Sequence, residues 1–161
     1  MTTHDDTTKL WDMIDKIRVA MLTTEHDGTL ESRPMSAFSD REARLIWFIT
    51  RTDTDKTNEI ATGAPVNLAF GDKSTNNFVS ITGTAEVVRD TAKQKELWNP
   101  FAEAWLPEGP EAPTTALIKV TPMHGTLWDA PGKLAQLFNV AKANITQKPA
   151  SSGDVAHVDI R

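Results

Sequence analysis

Cysteine is absent from this chain of 161 residues. Disulfides, thiolate nucleophiles and cysteine-ligated metals are therefore excluded, and any redox chemistry requires a bound cofactor. Positive charge is also scarce, because the chain has 17 lysines and arginines but 22 aspartates and glutamates, which gives a net charge of −5. That balance leaves no broad basic surface for nucleic acid. No apolar run approaches the roughly 18 to 20 residues of a membrane-spanning helix, so a membrane partner is not expected either.

Several familiar site motifs are missing as well. The sequence contains no GxGxxG, GxSxG or HExxH pattern, and the segment GDKS at 71–74 lacks the adjacent glycine and lysine of a P-loop. The four histidines are scattered without the spacing of metal ligands, so no metal site is predicted. The N-terminal letters MTTHDDTTKLW are acidic and polar, unlike a signal peptide, and a cytoplasmic protein is expected.

The pattern of apolar residues predicts a mainly β fold. TTKLWDMIDKIRV predicts a helix from Thr7 to about Val19, with Thr7 or Thr8 as N-cap. RVAMLTTE and LESRPMSAFS predict two strands around an Asp27-Gly28 turn. Further strands are predicted at ARLIWFIT, APVNLAFG and FVSITGTAEVVRD, and TTALIKVTPMHGTLWDA reads as a last strand pair or one bent strand. Because the strands follow one another without a βαβ rhythm, we expect a small closed antiparallel barrel with peripheral helices.

Helices account for the remaining patterned segments. A short helix is expected around 56–61, and AKQKELWNPFAEAWL predicts helix interrupted at Pro100. GKLAQLFNVAKANI predicts an amphipathic helix with Leu134, Leu137, Phe138 and Ala141 on one side. Residues 147–161 form a polar tail that we expect to be mobile or partner-dependent. The length and the lack of a linker favour a single domain over residues 1–161.

Lys56 stands where the segment WFITRTDTDKTNEIATG changes from strand-like to helix-like. A cation is mildly unfavourable in the first turn of a helix, where an anion is favoured. One interpretation is an ordinary solvated turn in which Asp53, Asp55 and Glu59 offset the lysine. The alternative is a phosphate site made by backbone N–H groups, threonine hydroxyls and Lys56. The residues of this segment do not decide between them.

Two other features remain open at this point. Arg33 lies in a predicted strand beside Pro34, which removes a ladder donor and indicates an edge or a bulge. If LIWFIT returns beside that strand, Arg33 and the turn from Thr50 to Lys56 converge on one anion. The chain also has five tryptophans and no tyrosine. Each tryptophan alone is most simply a core residue, but three flank irregular, proline-rich segments where a planar ligand or a partner subunit can be met: Trp98, Trp105 and Trp128.

The chain resembles the pyridoxamine 5′-phosphate oxidase-related FMN-binding split-barrel superfamily, and within it the general stress protein 26 group. The resemblance is carried by the order and spacing of MLTTEHDGTLESRPM, LIWFIT with TDKTNEI, VNLAF, FVSITGTAEVV, LWNPFAEAWLPEGP and ALIKVTPMHGTLWD. It extends from roughly Lys9 to Asn144. It implies an antiparallel, Greek-key-like split barrel that binds FMN, with FAD or deazaflavin as lesser alternatives.

The resemblance also implies roles for particular residues. Arg33 and Lys56 would clamp the FMN phosphate, supplemented by Thr50 and Thr54. Main chain around Pro34, Met35 and Ile49 would face the isoalloxazine ring. The family forms homodimers with flavin sites between subunits, which makes four further residues candidates for completing the site: Asn76, Asn77, Phe78 and Trp128.

A flavin-dependent oxidoreductase with an unidentified substrate is the function that this resemblance favours, because flavin supplies the electron chemistry. No catalytic acid or base is assigned. Oxidation of vitamin B6 is not expected, since the C-terminal letters SSGDVAHVDIR lack the pattern of true pyridoxamine phosphate oxidases. The alternatives are a non-catalytic flavin-binding or flavin-buffering stress protein, and a deazaflavin-dependent reductase. A haem protein and a ligand-free structural dimer rank below these.

Overall fold

The computed structural model describes residues 4–53, 57, 60, 63–147, 149 and 153–161. Strands dominate and alternate with short helical segments. The elements in chain order are α1 (His4–Ile17), β1 (Val19–His26), β2 (Thr29–Ser36), β3 (Phe38–Asp40), β4 (Leu45–Arg51), β5 (Ala64–Asp72), β6 (Asn77–Val88), α2 (Thr91–Leu97), α3 (Pro100–Trp105), β7 (Thr115–Asp129), α4 (Lys133–Thr146) and β8 (Asp154–Asp159).

The strands form one antiparallel sheet that closes on itself. Its order is β2-β1-β5-β6-β7-β4-β3, and β8 pairs with β7 outside this path. The two ends of the order, β2 and β3, are separated in the chain by Ala37 alone, and β2 also contacts β4. A continuous stretch of chain therefore joins both edges of the sheet. The expected mainly β barrel with peripheral helices is confirmed.

The predicted hairpin between β1 and β2 is present. Asp27 and Gly28 have φ values of 49° and 78°, the left-handed conformation that a two-residue hairpin turn requires at both positions. The turn fixes the register, so that His26 pairs with Thr29 and Leu22 pairs with Arg33. The last long strand, β7, is one bent strand of 15 residues rather than a pair. Its register against β6 shifts between Thr82 and Gly83, as a β-bulge does.

Helix α1 packs one of its faces on the core of the sheet. Its apolar stripe buries Leu10, Met13 and Ile14 against inward-facing residues of the sheet, as the sequence pattern predicted. Gly125 on β7 makes this packing possible, because a Cβ there would overlap Leu10 Cδ1 and lie 3.1 Å from Ile160 Cδ1. Glycine in a strand often marks such a close approach of another element.

The start of α1 differs from the prediction. The helix begins at His4 rather than Thr7, and Thr8 is not an N-cap, because its hydroxyl donates to the His4 carbonyl at 3.0 Å inside the helix. Asp5 and Asp6 lie in the first turn, where acidic side chains favourably face the helix dipole. The helix ends at Ile17.

The prediction of a mobile polar tail was wrong for residues 154–159. These form β8, which pairs with the second half of β7, from His124 to Asp129. The first half of β7 pairs with β4 on the same edge and leaves that second half free. An unpaired strand edge offers N–H and C=O groups to any nearby chain. Val158 is also buried, so β8 contributes to the core as well as to the ladder.

Helix α4 is present as predicted, but its apolar side faces solvent. Leu137 and Phe138 are 73% and 69% exposed, whereas Gln136 and Asn139 are half-buried. The side chain of Leu134 lies outside the described residues. The helix thus turns polar groups towards its own barrel and leaves apolar surface uncovered.

Candidate functional site

Arg33 lies on the inner face of β2 near the end of the barrel. It pairs with the fully buried Leu22, and its side chain is 21% exposed. Its Nη1 donates to Thr24 Oγ1 at 2.6 Å, and its Nη2 donates to Glu31 Oε2 at 3.3 Å. Thr24 and Glu31 are themselves cross-strand partners. The guanidinium therefore lies beside the pair of Thr24 and Glu31. This pair is two residues nearer the hairpin turn than the pair of Leu22 and Arg33.

The strand that carries this arginine approaches β4. β3 pairs with β4 as Phe38 with Trp47, and β2 runs directly into β3. β2 itself also contacts β4. Arg33 and the buried Thr50 therefore lie on two strands that contact each other.

The turn after β4 is fixed by an ionic cluster. Arg51 donates to both carboxylate oxygens of Asp53, at 2.9 and 3.0 Å, and to Glu108 at 2.9 Å. These hydrogen bonds from Arg51 lower the pKa of the Asp53 carboxyl. Thr52 N–H donates to the Thr114 carbonyl at 2.8 Å, which ties the turn to the start of β7.

This cluster bears on the two interpretations of Lys56. Asp53 was one of three acids offered as partners of the lysine in an ordinary solvated turn, but both of its oxygens bind Arg51. Lys56 and Thr54 themselves lie outside the described residues, as does most of the short helix expected there. Thr57 is helical, and its hydroxyl donates to the Thr52 carbonyl at 3.1 Å. A phosphate role for Lys56 stays a prediction.

The remaining predicted residues on β2 and β4 divide between the two faces of the sheet. Thr50 is buried and faces inwards, as Met35 does, so both share the inner face with Arg33. Pro34 is exposed on the outer face and pairs with Met21. Ile49 also points outwards, where it is half-buried and pairs with Leu117. The prediction for Pro34, Met35 and Ile49 concerned their main chain and is not tested by these side-chain positions.

Phe78 and Trp128 are brought together on the outer face. They are direct cross-strand partners on β6 and β7, and they are 44% and 40% exposed. Val155 of β8 extends the same row and is 50% exposed. The row presents an uncovered aromatic and apolar surface.

Asn76 and Asn77 use their side chains to hold the loop before β6. Asn76 has a positive φ of 56°, and its Nδ2 donates to Gln136 Oε1 of α4 at 3.1 Å. Asn77 Oδ1 accepts from the Ala130 N–H at 3.1 Å. Each asparagine therefore has a structural partner within the chain, and their predicted share in a ligand site stays a prediction.

The outer face carries a wider uncharged surface, which we call the outer sheet face. One cross-strand row runs from β2 to β7 without an acidic or basic side chain and ends at His157 of β8, and a second row contains the aromatic pair. Exposed apolar surface of this kind marks interaction sites. The outer sheet face comprises Pro34, Met21, Ala69, Ser80 and Thr126 in the first row, and Gly71, Phe78, Trp128 and Val155 in the second.

Sequence reasoning missed Thr24 and Glu31, two side chains of the hairpin that contact Arg33. Both follow from the hairpin register, because a two-residue turn at Asp27-Gly28 pairs residues whose numbers sum to 55. Leu22 then faces Arg33, and Thr24 faces Glu31, two residues nearer the turn.

No group of metal-ligating side chains occurs in the part of the chain that the structure describes, and none of the helices within it is long and apolar enough to cross a membrane.

Comparison with known proteins identifies the family. Residues 5–150 match the family described as Pyridoxamine 5′-phosphate oxidase like. The chain belongs to this family. The match spans most of the chain, including the hairpin with Arg33, the β4 turn and both strands of the aromatic pair.

Individual relatives point to the general stress proteins within this family. A structure from Jannaschia sp. CCS1 described as general stress protein 26 is 30% identical, with a TM-score of 0.81, covering 98% of this chain and 99% of that one. The general stress FMN/FAD binding protein from Xanthomonas citri is 31% identical, with a TM-score of 0.69, covering 79% and 90%. Protein bli-3 of Neurospora crassa is 28% identical over 149 residues, covering 83% of this chain and 70% of its own length.

Proposed function

We propose that this protein binds FMN and serves as a cytoplasmic flavin-dependent oxidoreductase of the general stress protein type. The phosphate clamp would comprise Arg33 and Lys56. The observation that carries the proposal is the placement of the Arg33 guanidinium, which is 21% exposed on the inner face of β2, held by Thr24, on a strand that contacts β4. A similar protein from Xanthomonas citri is described as an FMN/FAD binding protein, which supports the same ligand class.

The chemistry of the described residues fits a flavin phosphate. Arg33 offers a planar, permanently charged fork suited to phosphate oxygens, and its partial burial reduces screening by water and salt. Thr50 lies on the same inner face and is buried. The flavin, when bound, supplies hydride and electron transfer, while the protein sets orientation and access.

We further propose a homodimer in which each flavin site is completed by the second subunit. The outer sheet face supports this, because its cross-strand rows are uncharged and Met21, Phe78 and Trp128 remain about 40% exposed. Leaving such a surface in water is unfavourable, and a two-fold interface would bury it against its own copy. Phe78 and Trp128 would then lie at the subunit boundary, where a planar ring can be sandwiched.

A non-catalytic flavin-binding role is the second candidate. Among the predicted site residues that the structure describes, none carries a carboxylate, an imidazole or a thiol. A group that donates or accepts a proton at the flavin must therefore come from elsewhere in the protein or from the substrate. This observation favours a protein that holds or buffers flavin.

Visible absorption of the purified protein tests the ligand class. The protein is mixed with excess FMN, riboflavin, FAD or deazaflavin mononucleotide, unbound ligand is removed, and the retained bands are measured. We expect retention of FMN and much weaker retention of riboflavin, which lacks the phosphate. Equal retention of FMN and riboflavin would contradict the phosphate clamp, and retention of neither would contradict flavin binding.

Turnover separates the two candidate functions. The FMN-loaded protein is mixed with NADH or NADPH and then with oxygen or a quinone, and flavin bleaching and recovery are followed. Reduction and reoxidation at catalytic rates would support the oxidoreductase. Tight binding without turnover would support the flavin-buffering role.

A further inference from the structure

Thr24 is a buried polar side chain where the strand pattern calls for an apolar one. It lies on the inner face of β1 in line with Ala20 and Leu22, both fully buried, and it is itself only 3% exposed. Burying a hydroxyl is unfavourable unless it is hydrogen-bonded. The partner that justifies this threonine is therefore informative.

One partner of this hydroxyl is Arg33. The guanidinium Nη1 donates to Thr24 Oγ1 at 2.6 Å, a short and well-formed charged hydrogen bond. The contact is diagonal across the hairpin, since Arg33 pairs with Leu22 and Thr24 pairs with Glu31. The arginine side chain therefore extends along β2 towards the hairpin turn, and the Thr24 hydroxyl holds it there.

Glu31 is a contact of a different kind. Its carboxylate meets Nη2 of Arg33 at 3.3 Å, and its side chain is 65% exposed. A long, solvent-exposed contact of this type contributes little and exchanges easily. Thr24 thus holds one nitrogen of the fork by a shorter and more buried contact than the one that Glu31 makes with the other nitrogen.

We propose that Thr24 is a positioning residue for phosphate binding. Its hydroxyl holds Nη1 so that the Arg33 fork keeps one orientation in which it meets the phosphate group of the proposed ligand. This inference rests on the proposed function. The physical gain is preorganisation, because a long arginine that is already held in place loses less rotamer freedom when the ligand binds.

The test compares Thr24→Val with Thr24→Ser in the full-length protein. Valine keeps the shape of threonine and removes the hydroxyl, whereas serine keeps the hydroxyl. Dissociation constants for FMN and riboflavin are measured by fluorescence quenching, together with the midpoint of urea unfolding. We expect Thr24→Val to weaken FMN binding by about tenfold and leave riboflavin binding unchanged, while Thr24→Ser stays close to wild type.

A second comparison shows whether Thr24 acts through the arginine. Thr24→Val is introduced into the Arg33→Ala variant, and we expect no further loss of FMN affinity there. A residue that only supports the fold would lower FMN and riboflavin binding together in both backgrounds, and that result would overturn the inference.

The remaining outcomes distinguish this inference from the function on which it rests. A wild-type protein that prefers FMN over riboflavin, combined with a Thr24→Val variant that keeps the same preference, overturns the role of Thr24 alone. A wild-type protein that binds neither ligand overturns the proposed function and the role of Thr24 together.

Discussion

The packing of α1 on the sheet can be tested through Leu10 and Gly125. Leu10 is fully buried, and a Cβ on Gly125 would overlap its Cδ1 and lie 3.1 Å from Ile160 Cδ1. Both neighbours are buried side-chain ends with little space to retreat. Gly125→Ala should therefore lower the free energy of unfolding by about 1 to 3 kcal/mol through overpacking.

Leu10→Ala should relieve that clash while creating a cavity of its own. Truncating a buried leucine costs about 2 to 5 kcal/mol. If the two sites were independent, the costs would add in the double variant. Because the shortened Leu10 makes room for the new methyl group, we expect the double variant to be about 1 to 2 kcal/mol more stable than that sum.

Urea unfolding measures the free energy of unfolding of the wild type, the two single variants and the double variant. The protein concentration is held fixed, because the stability of a dimer depends on concentration. Gly132→Ala is the matched control, because no atom lies within 4 Å of a Cβ there and its φ is −50°. We expect that control to change stability by less than about 1 kcal/mol. Strict additivity of the two substitutions, or a neutral Gly125→Ala, would refute the packing of Leu10 on Gly125.

Three further predictions concern the site, the surface and pH. Replacing Arg33 and Lys56 together by alanine should weaken FMN binding by several kcal/mol, at about 1.5 to 3 kcal/mol per charged hydrogen bond. The midpoint of urea unfolding checks that the variant still folds. Unchanged FMN affinity would refute the clamp. If the proposed dimer uses the outer sheet face, Ala69→Arg should split it in sedimentation experiments by placing a charge there, whereas Ala104→Arg on exposed α3 should not. A dimeric Ala69→Arg variant would place the interface elsewhere. The Asp72 carboxyl accepts hydrogen bonds from the Ser74 side chain and backbone and from Thr75, which lowers its pKa. Its contribution to stability is therefore present at neutral pH and is lost as pH falls below about 4. Asp72→Asn should flatten the dependence of the unfolding free energy on pH between pH 5 and 3.

Local pattern was sufficient for the strands and the first hairpin. Asp27-Gly28 specifies a two-residue turn, and that turn sets the register of β1 and β2 without help from the rest of the chain. The alternation of β1 likewise identifies Ala20, Leu22 and Thr24 as one face. These features are predictable because they depend on residues within a few positions of one another.

Other elements depend on distant partners and were not predictable in the same way. β8 has a short alternating pattern, but it is ordered because the second half of β7 has a free edge at that place. The pattern of α4 gave a helix with an apolar side, yet not the direction of that side, which depends on what the barrel offers and leaves Phe138 exposed. The hydrophobic period shows which residues share a face, and not what that face contacts.

The sequence by itself determined the mainly β architecture, the β1–β2 register and the apolar stripe of α1. Each of these follows from turn chemistry or from side-chain alternation within a short segment. The tertiary structure alone decided that the strand of Arg33 contacts β4, that its guanidinium binds Thr24, and that Gly125 leaves space for Leu10. Those contacts join residues far apart in the chain, and they are set by the closure of the sheet and by how tightly side chains fill its interior.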